Sequence, residues 1–188
     1  MRRAVINTNR RHIATLTKAL AVLLLLFISF QLPAQTSREY NIKAVFLYNF
    51  TQFIDWPPDA FRNPDAPFVI GILGNDPFRS AIDEAVAGEK VKSHSIVVQR
   101  YQNVRDIKNC NILFISNTEG GKLREIFSAL PTKNILTVSD IPDFATTGGI
   151  IRFMTKENKI KLQINLPASK VADLNISSKL LQVAEIVR

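Results

Sequence analysis

The stretch 111-NILFISNTEGGKLREIFSAL-130 decides how this chain folds. Asn111 to Ser116 is a short apolar run bounded by polar residues, the pattern of a fully buried strand. From Glu119 the spacing turns helical, and Gly120 and Gly121 supply the turn between the two elements. The same unit recurs on both sides. Upstream, 68-FVIGILG-74 leads through Asn75-Asp76-Pro77 into a helix ending near Ala87, and the β-branched run 95-SIVVQRY-101 follows. Downstream lies 135-ILTVSD-140. Continuous apolar strands separated by helices predict a mostly parallel sheet covered by helices on both faces.

The ends of the chain depart from that rhythm. Segments 149-GIIRFMTKE-157 and 159-KIKLQINL-166 alternate apolar and polar residues and predict an antiparallel hairpin turning around Asn158. Pro167 then opens a last helix with Val171, Leu174, Leu180, Leu181, Ala184 and Val187 on its apolar face. At the other end, Arg38 to Ile54 reads as a helix whose face carries Ile42, Val45, Phe46, Phe50, Phe53 and Ile54. Leu47 and Tyr48 widen it, and Lys43 is its only charge after Asn41. Such a helix is normally buried, and Pro57-Pro58 stops it. Its aromatics read as core, with Tyr48 and Trp56 placed to line a groove or an interface. The sequence predicts one α/β domain over residues 35–188.

Residues 1–34 read differently. They hold five bases, no acid appears before Glu39, and the apolar run 19-ALAVLLLLFISFQL-32 ends at Pro33-Ala34. That is the pattern of a cleaved secretory signal peptide, and the run is short for a bilayer span. An uncleaved anchor is the alternative, and Asn9-Arg10-Arg11 only faintly matches a twin-arginine signal. The formal net charge of +8 falls to +3 without the leader, 19 bases against 16 acids. No basic stripe or nucleic-acid motif accompanies it, so no nucleic-acid partner is expected.

The chemistry-bearing residues are sparse. His94 is the only histidine after the leader and lies in the polar turn 92-KSHS-95, without a nucleophile or carboxylate placed beside it. One histidine and one cysteine make no zinc site, and Asp76, Asp83 and Glu84 lack a calcium-loop pattern. Gly71 to Gly74 lacks the dinucleotide spacing. In 116-SNTEGGKL-123, Ser116 and Leu123 stand where a phosphate loop needs glycine and a hydroxyl. Asp55 and Asp59 flank a proline-rigid turn, where Asp serves local hydrogen bonding. Cys110 is the only cysteine, so no internal disulfide forms. At the entrance to an apolar run it reads as a small buried hydrophobe, with a redox or intermolecular role as the alternative. No catalytic residue, metal or cofactor is expected.

In order and spacing, seven segments resemble the YfiR-like periplasmic proteins: 39-EYNIKAVFLYNFTQFIDWP-57, 68-FVIGILGNDPF-78, 109-NCNILFIS-116, 135-ILTVSD-140, 148-GGIIRF-153, 161-KLQINLPAS-169 and 177-SSKLL-181. The resemblance implies a non-enzymatic, often dimeric α/β regulator in the periplasm. Such a protein binds an inner-membrane signalling protein, a diguanylate cyclase or a sensor kinase, and holds cyclic-di-GMP and biofilm formation down. The best-known relative resembles a redox sensor through its disulfides, and Cys110 matches a cysteine position of the family. Its disulfide partner is missing here, so the resemblance does not carry redox sensing over to this chain. The candidate partner surface is the terminal hairpin and helix, where Arg152, Lys156, Lys159 and Lys161 form a basic rim, together with Tyr48 and Trp56. A solvated charged face is the bland alternative for these bases. A second function class remains open, a periplasmic small-molecule binder using the loops at the carboxyl ends of the parallel strands. A hydrolase is a distant third.

Overall fold

The structure, a computed structural model, describes residues 32–187 apart from 62 and 64. Nearly all of the expected signal peptide therefore lies outside the described residues. Two units divide the chain, Met1–Glu39 and Tyr40–Arg188, and the second carries all the described strands.

Helix α1 (Leu32–Phe53) begins before the expected Arg38 and ends at Phe53. Its buried face differs from the expected one. Lys43, Ala44, Leu47, Phe50 and Thr51 are buried, while Ile42 is 42% and Val45 50% exposed. Phe46, Tyr48 and Phe53 are only partly buried against the core. With apolar residues around most of its circumference, periodicity could not choose the phase. The choice falls to what the rest of the chain offers, including a partner for Lys43.

Beyond the helix, β1 (Ile54–Asp55) pairs antiparallel with the distant β9 (Asn175–Ile176), which ends α1 before Pro57-Pro58 can. The main sheet has eight strands: β2 (Phe68–Leu73), β3 (Lys90–Val91), β4 (His94–Tyr101), β5 (Ile112–Ile115), β6 (Leu136–Ser139), β7 (Ile151–Lys156), β8 (Lys159–Asn165) and β10 (Ala184–Val187). Their order is β10-β8-β7-β6-β5-β2-β4-β3. Every neighbouring pair is parallel except β7 with β8 and β3 with β4. This is the expected mostly parallel α/β sheet.

Side chains of the central strands are buried on both faces and feed two cores. Phe68, Ile70, Ile72, Ile112, Phe114, Leu136 and Val138 meet α1 and α2 (Ala81–Val86) on one side. Val69, Leu73, Leu113 and Ile115 meet Leu123 and Ile126 of α3 (Leu123–Ala129) on the other. Successive side chains alternate faces, so one run of apolar residues serves both layers. The helix expected from Glu119 starts with a 3₁₀ stretch, Asn117–Lys122, before α3. The chain steps from β2 to β4 in one direction and from β5 to β6 in the other. Right-handed crossovers then require α2 and α3 on opposite faces.

The hairpin is as the alternation predicts. Lys156 pairs with Lys159, and Glu157 and Asn158 both take positive φ, 51° and 58°, the signature of a two-residue type I′ turn. After it, Pro167 does open a helix, α4 (Leu166–Val171), so the hairpin is followed by a helix. That helix stops at Val171, however. Residues expected to continue it instead form β9, α5 (Ser178–Leu181) and β10. Asp173 turns the chain with φ 54°, and the Ser177 side chain caps α5 by accepting from the Leu180 amide. The β-branched Ile186 and Val187 then add β10 parallel to β8 at the sheet edge.

Candidate functional site

Lys43 explains the phase of α1. It is 2% exposed, and its Nζ lies 2.6 Å from Asp140 Oδ2, just past the carboxyl end of β6. The Tyr40 hydroxyl donates to the same oxygen at 2.7 Å, and the Lys43 ammonium sits 4.3 Å from the Tyr40 ring centroid. Phe153 lies 5.9 Å away on another side. Asp140 Oδ1 is buried with no hydrogen-bond partner among the described residues. A charge-assisted hydrogen bond inside an aromatic cage ties α1 to the sheet. Sequence reasoning singled out neither Lys43 nor Asp140 as functional. The one signal was a lone lysine in an otherwise apolar helix, a position that demands a buried partner.

The glycine turns at the carboxyl ends of β2 and β5 are occupied by the chain itself. Gly74 has φ 86°, and a Cβ there would lie 2.8 Å from Thr118 Oγ1 and 2.9 Å from Glu119 Cγ. Lys122, at the phosphate-loop lysine position, is 65% exposed and pairs with Glu119 at 3.4 Å. Arg100 bridges Asp76 at 2.7 Å and Asp83 at 2.5 Å, pinning the turn before α2. His94 stacks on Phe61, centroids 4.2 Å apart, with Nδ1 2.6 Å from the Ala66 carbonyl. Asp59 takes a hydrogen bond from Asn134. These are structural arrangements rather than a general base beside a nucleophile.

The six expected interface residues divide into three groups. Arg152, Lys156, Lys159 and Lys161 do come together. Cross-strand pairs Arg152–Gln163, Met154–Lys161 and Lys156–Lys159 share the face of the hairpin opposite Phe153 and Leu162, which point into the α1 core. Lys156 is paired with Glu185 of β10 at 2.6 Å. Arg152 Nε and Gln163 Oε1, opposite each other, are buried with no partner among the described residues. Tyr48 stands elsewhere, on α1, donating to Glu89 Oε2 at 2.6 Å. That hydrogen bond to a carboxylate holds the phenol above its usual range. Trp56 is core: it is 8% exposed, its indole N–H donates to the Asn111 carbonyl at 3.2 Å, and its ring meets Phe68 edge-on at 4.9 Å.

Cys110 is buried as well, 5% exposed, and its thiol donates to the Ile112 carbonyl at 3.0 Å. Burial pushes its pKa up to about 12, so the reactive thiolate is scarce at neutral pH, which does not suit a redox switch.

A cavity of about 470 Å³ opens where α3 ends and β6 begins, walled also by Gly148, Ile150 and α4. It lies at the amino ends of β6 and β7, the opposite end of the sheet from the loops expected to hold a small ligand.

The described residues thus form a doubly wound α/β domain whose crevice turns are filled by the chain itself. The chain belongs to the YfiR/HmsC-like family, whose sequence profile matches residues 40–185. At family level that membership carries a regulatory rather than enzymatic role, in the periplasm, on diguanylate-cyclase signalling. No curated protein matches the sequence. Among the described residues no helix is long and apolar enough to cross a membrane.

Proposed function

We propose that this protein is exported, loses its leader near Ala34, and binds the periplasmic part of an inner-membrane signalling protein. The foremost partner is a diguanylate cyclase, which it represses to lower cyclic-di-GMP; a sensor kinase is the other receptor class. The observation carrying this reading is the hairpin face shared by Arg152, Lys156, Lys159 and Lys161, whose three lysines are exposed. Its partner surface is acidic. A domain without a reaction of its own acts by binding one receptor state better than another. Turning a receptor from mostly on to mostly off takes about 10⁴-fold differential affinity, or roughly 5.5 kcal/mol. An interface of about 1,600 Å² can supply that. A homodimer would present two such faces.

The experiment compares cyclic-di-GMP in cells carrying the gene, lacking it, and complemented with Lys159→Glu/Lys161→Glu. Both lysines are exposed, so the variant folds. Deletion should raise cyclic-di-GMP, and the doubly reversed variant should fail to restore it despite normal periplasmic abundance. Unchanged levels on deletion, or rescue by a leaderless form, would defeat the cyclase reading. Full rescue by the charge-reversed variant would remove the basic face from the interface.

A further inference from the structure

The 470 Å³ cavity has a chemical character of its own. Phe127, Leu130, Ile135, Ile150, Ala168 and Val171 supply apolar walls. Val171 is 71% exposed at its rim, although it belongs to a helix whose neighbour Ala172 is core. Lys133, also exposed, brings the positive charge of the lining. Deeper in, Thr137 is only 4% exposed, and its Oγ1 accepts the Ile150 amide at 3.1 Å. Among the described residues nothing accepts the hydroxyl proton of Thr137. A buried hydroxyl ordinarily donates as well as accepts, so this one lacks half of its usual complement.

We propose that the cavity binds an apolar monocarboxylate. The hydrocarbon body lies against the walls, the charge is drawn to Lys133, and an oxygen of the ligand accepts from Thr137. The volume falls within the range of about 300–1,000 Å³ typical of small-molecule sites. A ligand with a second charge would meet no counterpart, and a cation would meet Lys133. The inference does not rest on the receptor reading. It concerns the amino ends of β6 and β7, whereas the tip of the basic hairpin lies beyond the carboxyl end of β7.

Titration calorimetry of the leader-free protein with decanoate, decan-1-ol and decylamine, all below micelle-forming concentrations, tests this. Decanoate should bind saturably at one site. Decanol should bind up to about fivefold more weakly, the size expected for losing one exposed ion pair, and decylamine weaker still. Lys133→Glu and Val171→Asp, both at exposed positions, should each weaken decanoate about tenfold or more while leaving the thermal midpoint near wild type. Absence of saturable decanoate binding overturns the proposal. Equal binding of all three probes overturns the carboxylate assignment, and decanoate affinity indifferent to both substitutions moves the ligand out of this cavity.

Discussion

Replacing Lys43 by methionine should destabilise the fold more than losing an exposed hydrogen bond would. The substitution keeps the length and bulk of the side chain, so the packing beside Tyr40 and Phe153 largely survives. What it removes is the cation 2.6 Å from Asp140 Oδ2, in a place where the lysine is 2% and the aspartate 13% exposed. Among the described residues the carboxylate then keeps the Tyr40 hydroxyl as a partner but no compensating charge, and Oδ1 is already unmatched there. Breaking a buried pair from one side costs about 3–5 kcal/mol. Domains of this kind have roughly 5–15 kcal/mol in all, so the loss is a large fraction. With a urea m-value of about 2 kcal/mol/M, the midpoint should fall by about 1.5–2.5 M. The double variant Lys43→Met/Asp140→Leu should recover much of that, because no charge is left buried. Equilibrium urea unfolding of the leader-free protein, followed by tryptophan fluorescence and circular dichroism, measures Lys43→Met, Asp140→Leu and the double variant. A Lys43→Met midpoint within about 0.5 M of wild type, or a double variant weaker than both single ones, would refute this account of the pair.

Phe50→Ala should cost about 3–5 kcal/mol, since its ring is fully buried and stacks on Phe153 at 5.9 Å, whereas the partly exposed Phe53→Ala should cost clearly less; urea midpoints distinguish them. Gly149→Ala should destabilise by about 1–3 kcal/mol, because a Cβ there would lie 2.1 Å from Phe144 Cε1, and thermal melts report it. Burial raises the Cys110 pKa from 9.0 to about 12, so the folded state retains the thiol proton longer than the unfolded one. That contribution is fully present below pH 9 and is lost as pH rises toward 12. Relative to Cys110→Ser, wild-type stability should therefore fall over that window by up to about 1.4 kcal/mol per pH unit, measured by urea midpoints in steps of one pH unit.

The middle of the fold was legible because its signals are local. Phe68–Leu73 and Ile112–Ile115 carry no polar side chain, as a strand buried on both faces requires, and Leu136–Ser139 is buried throughout although it includes Thr137 and Ser139. Period two likewise put the four bases of the hairpin on one face once the turn at Glu157-Asn158 was recognised. The errors arose where distant residues decide. The phase of α1 follows from a pair 97 residues apart, Lys43 with Asp140. Trp56 is buried because Asn111 offers a carbonyl to its indole nitrogen. The C-terminal segment has apolar spacing that suits a helix, but β1 and β8 each recruit a piece of it as strand. The cavity joins Phe127, Lys133, Gly148 and Val171 from separate elements, and no local pattern marks it.

The separation of Lys43 from Asp140 also bears on how the chain comes to fold. Synthesis delivers α1 early, but its buried ammonium has no counter-ion until β6 has been made 97 residues later. The strand that follows α1 waits longer still, since Ile54 pairs with Ile176. Pairings of such high sequence separation must meet their loop-closure entropy before any contact compensates it, which slows folding. Among the described residues, α1 and β1 thus have no neighbouring segment of sequence that completes their packing while the chain is being made. Delay of this sort would suit the export proposed above, since a chain threaded through a membrane must not fold first, and β10 is the last of the described strands to join the sheet.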